Sequence, residues 1–320
     1  MGKNGSVLML IGASVCGALI SYAMFEGPHT LRRDAPAPPK ATMKETVAPT
    51  CAQALVRVPG YKYVHHLLTA GAACESSRLS PLRDSVATLV EALRSQGQLT
   101  SATVHVRDFK HGEWMACNGN ETYAPGALRD LLLLIAAFSM EERTPGFLDR
   151  SISGTSMRMF LHRMVAQHDA AARGTVYHAV PTERVSTLLA HLGLPASSMQ
   201  DDHRCTAAEY TTIMASLFNA ADLSPMNADK ALDLLVADGS QRSIAALPAD
   251  VQVAGVSAEA RTTDGAGLNS TGIVYAPTGP YVVTIMAKGG DPTRLQSATK
   301  AIERMVYDRM LTRDTTNAGS

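Results

Sequence analysis

The stretch Tyr123-Ala124-Pro125-Gly126-Ala127-Leu128-Arg129-Asp130, followed without a polar break by Leu131 to Ala137, decides the reading of this chain. Pro125 and Gly126 break the preceding backbone and allow a sharp turn. The residues after them have no polar face, so the helix they form is buried on all sides. Ala127 stands at the start of that helix, and one helical turn later stands Asp130.

Elements on either side follow from periodicity. Leu79 to Ser95 is predicted as an amphipathic helix, capped by Ser80 with Pro81 in its first turn, burying Leu82, Val86, Leu89, Val90 and Leu93 and ended by Gly97. Ala102 to Asp108 alternates, with Val104 and Val106 inward. Phe109-Lys110-His111-Gly112 is a turn, and Glu113 to Cys117 is the returning strand. A helical block then runs from Gly126 to about Ala221. It includes Met157 to Gln167, Val185 to Leu192 closed by Gly193 and Pro195, and Thr206 to Ala220 capped by Thr206, with Ala228 to Leu235 after it. Val251 to Glu259, Gly272 to Ala276 and Pro280 to Lys288 are predicted strands, the last two joined by Pro277-Thr278-Gly279-Pro280. A closing helix runs from Asp291 or Thr293 to about Leu311. The order implies an α+β sandwich: an antiparallel five-stranded sheet flanked by helices, with an all-α subdomain inserted between its second and third strands.

The chain has 320 residues, 46% hydrophobic and 18% charged, with formal net charge +0, enough for one large core and with no electrostatic case for nucleic acid. Residues 1–5 are expected on the cytoplasmic side. Ser6 to Phe25 is uncharged and apolar, long enough for a transmembrane anchor, with a cleaved signal peptide as the alternative. Residues 26–78 form a Pro/Ala-rich linker and N-terminal extension, 79–312 the folded domain, and 313–320 a tail. This order places the domain outside the cytoplasm, facing the periplasm or extracellular side. Cys51, Cys74, Cys117 and Cys205 are disulfide candidates there, Cys51 with Cys74 the favoured pair. No CxxC pair occurs, and no metal or cofactor is expected. His65-His66 and His105 with His111 read as ordinary surface residues. Ser139, Ser151 and Ser153 read as caps or turns, and Met157, Met159 and Met164 as core.

With Asp108-x-x-x-Gly112-Glu113 ahead of Tyr123-x-Pro125-Gly126, the chain resembles the class A β-lactamase and penicillin-binding-protein superfamily of serine hydrolases over about Leu79 to Asp308. The resemblance implies Ser-x-x-Lys at the helix start, the Ser acylated and the Lys assisting its deprotonation. Here those places hold Ala127 and Asp130. It implies Ser-Asp-Asn where the chain has His168-Asp169-Ala170, with only the mainly structural Asp kept. It implies Lys-Thr-Gly on the cleft strand where the chain has Val256-Ser257-Ala258. The Glu that activates a deacylating water has no counterpart between Gly193 and Thr206, which offers Asp201, Asp202 and His203 instead. Losing a nucleophile that acts with its partners costs about 10⁶ in rate. The expectation is a pseudoenzyme that binds a cell-wall peptide or an envelope protein, with Asp130, His168, Asp169 and Ser257 as cleft candidates. The alternatives are an enzyme rebuilt on Asp130, His168 and Ser257, and a purely structural envelope protein.

Overall fold

Strand alternation in one segment organises the molecule. In β10 (Gly279–Gly289), Tyr281, Val283, Ile285 and Ala287 point into one apolar cluster, while Val282 and Met286 point into another. Successive side chains of a strand leave opposite faces, so this strand is the partition between two cores. The computed structural model describes residues 57–58, 60–67, 74–200, 202–236, 244–262 and 265–312.

The described strands before the helical block are β1 (Arg57–Val58), β2 (His66–Leu67), β3 (Cys74–Glu75), β4 (Ser101–Asp108) and β5 (Glu113–Cys117). A small pair, β6 (Ser151–Ile152) and β7 (Thr155–Ser156), lies within the block. β8 (Gln252–Thr262), β9 (Gly265–Ala276) and β10 follow it. The main sheet has the order β3-β5-β4-β10-β9-β8. Five of these strands are antiparallel, as the sequence implies. The sixth, β3, adds two residues parallel to β5, with Cys74 in register with Glu113.

The helices are α1 (Ser80–Ser95), α2 (Asp130–Arg143), α3 (Met157–Gln167), α4 (Ala170–Ala179), α5 (Thr182–Leu192), α6 (Ala207–Asn219), α7 (Pro225–Leu235) and α8 (Pro292–Thr312). α1 and α8 cover one face of the sheet and α6 the other. Leu131 to Phe138 of α2 are all buried among helices α3 to α7. Each large apolar side chain buried in this way contributes about 1.5–3 kcal/mol. A chain of hydroxyls ties α6 to the sheet: Thr211 Oγ1 donates to Thr284 Oγ1 at 2.9 Å, and Thr284 and Thr271 Oγ1 lie 2.7 Å apart. All three threonines are buried, so each hydroxyl needs such a partner.

Several expectations are corrected. Ser80 does not cap α1. A 3-10 turn, Ser77–Leu79, runs directly into it, and Ser76 caps that turn by accepting from the Arg78 amide. β9 begins at Gly265, seven residues before Gly272, because its Gly- and Ala-rich start carries no β-branched signal. α4 was not anticipated. The body also begins before Leu79. Tyr63 and Val64 are buried, both amides donate to Asp229 Oδ1 at 2.6 and 3.1 Å, and the Tyr275 hydroxyl donates to the Tyr63 carbonyl at 3.1 Å. Met157 and Met164 are core, whereas Met159 is 50% exposed.

Cys117 and Cys205 are buried free thiols, not halves of a disulfide. Burial pushes the Cys117 thiol up, and the Cys205 thiol up to about 12. Both are inert in that state. Cys51 lies outside the described residues. The apolar run 6–25 lies outside them as well, and among the described residues no helix is long and apolar enough to cross a membrane.

Candidate functional site

The turn before α2 is built by what surrounds it. Tyr123 is buried and joined to Cys205 by two backbone hydrogen bonds of 2.8 and 2.9 Å. Its hydroxyl donates to Glu121 Oε2 at 2.6 Å and lies 3.0 Å from Ser101 Oγ. Asn269 of β9 donates to the Ala124 carbonyl at 2.8 Å. Gly126 opens a 3-10 turn, Gly126–Arg129, at φ 60, and a β-carbon there would stand 2.9 Å from the Glu259 carbonyl of β8. Only glycine meets both demands, the left-handed backbone and the approach to the strand. Leu128 anchors the turn in the core.

A cavity of about 670 Å³ lies beside this turn, lined by Ala127, Arg129, His168, Arg173, Ser257, Glu259, Lys300 and Glu303 among others. Ala127 therefore presents a methyl group to the cavity. Asp130 does not line it. Its carboxylate is buried and accepts two hydrogen bonds from Arg173 of α4, Nε to Oδ1 at 2.6 Å and Nη2 to Oδ2 at 2.8 Å. Burial raises the Asp130 carboxyl, and the Arg173 fork opposes that rise. With both oxygens accepting, the pair is ionic and closed. An arginine partner for Asp130 fits the sequence, and the structure supplies Arg173; the neighbouring Arg129 instead donates to the carbonyls of Gly126 at 3.4 Å and Met199 at 3.2 Å.

His168 ends α3 in the left-handed conformation at φ 53 and lies exposed at the cavity rim. Desolvation by the surrounding protein lowers the pKa of its ring, with the Asp130 charge opposing and the Arg173 charge assisting. Asp169 turns away from the cavity. It caps α4, accepting from the amides of Ala171 at 2.9 Å and Ala172 at 3.0 Å, and it pairs with Arg163. Those contacts lower its pKa, the backbone amide of Ala172 foremost. Ala170 is the first residue of that helix. On β8, Ser257 and Ala258 line the cavity, whereas Val256 is 2% exposed and packs in the core. The structure thus brings Ala127, His168, Ser257 and Ala258 to one cavity, and leaves Asp130, Asp169 and Val256 as packing and pairing residues.

Several cavity residues escaped the sequence reading, Arg173, Lys300 and Glu303 among them. Arg173 and Glu303 sit in helical segments whose cleft-facing side becomes visible only on folding. Glu303 is 4% exposed; its Oε2 accepts from the Ala246 amide at 3.1 Å, and burial pushes it up to about 7. Elsewhere, His203 lies 3.2 Å from Ser197 Oγ, Asp202 is exposed, and Asp201 lies outside the described residues. Ser139 lines a separate small cavity, Ser151 lies in β6, and Ser153 takes a turn at φ 50. His65 packs on Phe218 with ring centroids 5.2 Å apart, and the side chain of His66 lies outside the described residues. His105 is no surface residue: it is buried and stacked on Trp114 at 5.4 Å.

A two-faced antiparallel sheet with an inserted helical block, and a cleft between that block and the edge strand β8, define a protein of the serine β-lactamase and transpeptidase fold. A family profile described as the beta-lactamase enzyme family matches residues 81–310, and the chain belongs to that family. Solved structures with the same fold include an ancestral class A β-lactamase, at 18% identity and TM-score 0.61, over 70% of this chain and 99% of that one. A class A β-lactamase from Mycobacterium abscessus matches at 16% identity and TM-score 0.61, over 70% of this chain and 98% of that one. PBP-A matches at 17% identity and TM-score 0.60, over 75% of this chain and all of that one, and a PBP-A mutant was solved as an acyl-enzyme complex with penicillin G. No curated protein matches the sequence.

Proposed function

We propose that this chain is a catalytically inactive β-lactamase-like protein, exported and anchored through residues 6–25, whose remnant cleft holds a cell-envelope ligand. The observation that carries the reading is the state of two positions, Ala127 and Asp130. Acyl transfer needs a nucleophile at the helix start, and a methyl group has no lone pair to attack a carbonyl. It also needs a group that takes the proton. Asp130 has both oxygens engaged by Arg173 and is shut off from the cavity, so it cannot serve a substrate.

The same pairing counts against a catalytic site rebuilt on Asp130, His168 and Ser257, although the last two share the cavity. A purely structural role would suit a filled cleft, and a cavity of about 670 Å³ favours a ligand instead. Its lining mixes cationic Arg129 and Lys300 with Ser257, His168 and Glu259, which suits a peptide bearing a carboxylate and amides. Cell-wall peptide is chosen from that class by family analogy. Titrating the full chain with a soluble cell-wall peptide by calorimetry tests the reading. Saturable binding that weakens in Ser257→Ala, with the peptide recovered intact, is expected. Cleavage of the peptide, or no binding at all, would overturn it.

A further inference from the structure

The turn between β4 and β5 gathers three side chains of metal-ligating type. Asp108 is the last residue of β4, His111 stands in the turn, and Glu113 is the first residue of β5. Gly112, at φ 71, makes the reversal. One donor atom from each of the three lies within 4.8 Å of the other two. Asp108 Oδ1 accepts the Lys110 amide at 2.9 Å, and Oδ2 lies 2.5 Å from His111 Nδ1. The sequence groups Asp108 and Glu113 in one motif but reads His111 with His105, whose ring is stacked on Trp114.

Two features set the cluster apart from an ordinary acidic turn. The carboxylates are not on the surface: Asp108 is 2% and Glu113 3% exposed. Glu113 Oε2 is also buried without any hydrogen-bond partner, and Oε1 has Arg78 Nη1 only at 3.7 Å. A buried carboxylate oxygen with nothing to accept from is costly, and since Arg78 stands on the Oε1 side, a bound cation between Glu113 Oε2 and the other two side chains would satisfy it. One imidazole nitrogen with two carboxylates suits zinc and its first-row neighbours. Calcium and magnesium prefer all-oxygen sets.

We propose that Asp108, His111 and Glu113 form a zinc-type divalent metal site that ties the end of β4 to the start of β5. None of the three lines the cleft cavity, so the site stands or falls apart from the cleft's function. The test is calorimetric titration of the purified, chelator-stripped full chain with ZnCl₂, together with thermal melting. The expected result is one tightly bound ion per chain and a raised melting temperature. His111→Ala and Glu113→Gln should each weaken binding about ten-fold or more. His111 lies in a turn and is 27% exposed at its side chain, and a folded His111→Gln, which keeps a polar partner for Asp108, separates loss of the metal ligand from loss of the turn. His162→Ala, at an exposed helix position, should leave binding unchanged. Absence of stoichiometric binding, or the same affinity in His111→Ala as in the parent chain, would overturn the proposal.

Discussion

Both carboxylate oxygens of Asp130 are taken by the guanidinium of Arg173, at 2.6 and 2.8 Å. The partner comes from α4 and neutralises the buried charge, so the pair is a tie between two helices of the inserted block. Ala127, one turn earlier, presents only a methyl group to the cavity.

That tie makes the pair costly to break from either side. Asp130→Ala or Arg173→Ala should destabilise the fold by about 3–5 kcal/mol, because each leaves a charge without its partner. The double variant should lose less than the sum of the two. Asp130→Lys should lose at least as much as Asp130→Ala, since it sets a buried cation against Arg173. Urea unfolding measures all of these. A parent-like midpoint in Arg173→Ala would show that the contact carries no stability.

Gly126 should not tolerate a side chain. Alanine there meets both the backbone at φ 60 and a 2.9 Å contact with the Glu259 carbonyl. Gly126→Ala is expected to lose about 1–3 kcal/mol by thermal or urea unfolding. An unchanged stability would mean that the 3-10 turn can move away from β8.

The fold was legible where local chemistry is strong. Leu131 to Phe138 announced a buried helix, Thr206 capped α6, and Gly193 closed α5 in the left-handed conformation. α4 was not legible, because Gly174 and Thr175 weaken its propensity and only Ala172 and Val176 are buried. The departures at Ala127, Asp130, His168 and Val256 could be read in sequence, but their consequences could not. Arg173 lies 43 residues from Asp130 and carries no pattern that links the two. The docking of Tyr63 against Asp229 is hidden for the same reason: ties across 166 residues are made by tertiary packing.

His105 should make the fold sensitive to acid. Burial lowers its pKa to about 4, from an ordinary value of 6.5. The folded state holds the ring neutral, so its contribution is complete above about 6.5 and is lost as pH falls through 4. A shift of this size corresponds to roughly 3 kcal/mol. His105→Gln should flatten the decline in stability between those two values, read as melting temperature against pH. An identical acid profile in that variant would remove His105 as the cause.

Glu303 acts in the opposite direction. Its folded pKa of about 7 lies above the ordinary 4.5, so its contribution is complete below 4.5 and is lost as pH rises through 7, again by roughly 3 kcal/mol. Glu303→Gln should abolish that decline between pH 5 and 8. A slope equal to the parent's would contradict the assignment.

The central claim is that the cleft binds without acyl chemistry. Intact-mass spectrometry of the full chain after incubation with penicillin G tests it most directly, with an active penicillin-binding protein treated in parallel. The account predicts an unchanged mass for this chain and a penicilloyl adduct on the control. A stoichiometric adduct on any serine of this chain would contradict it.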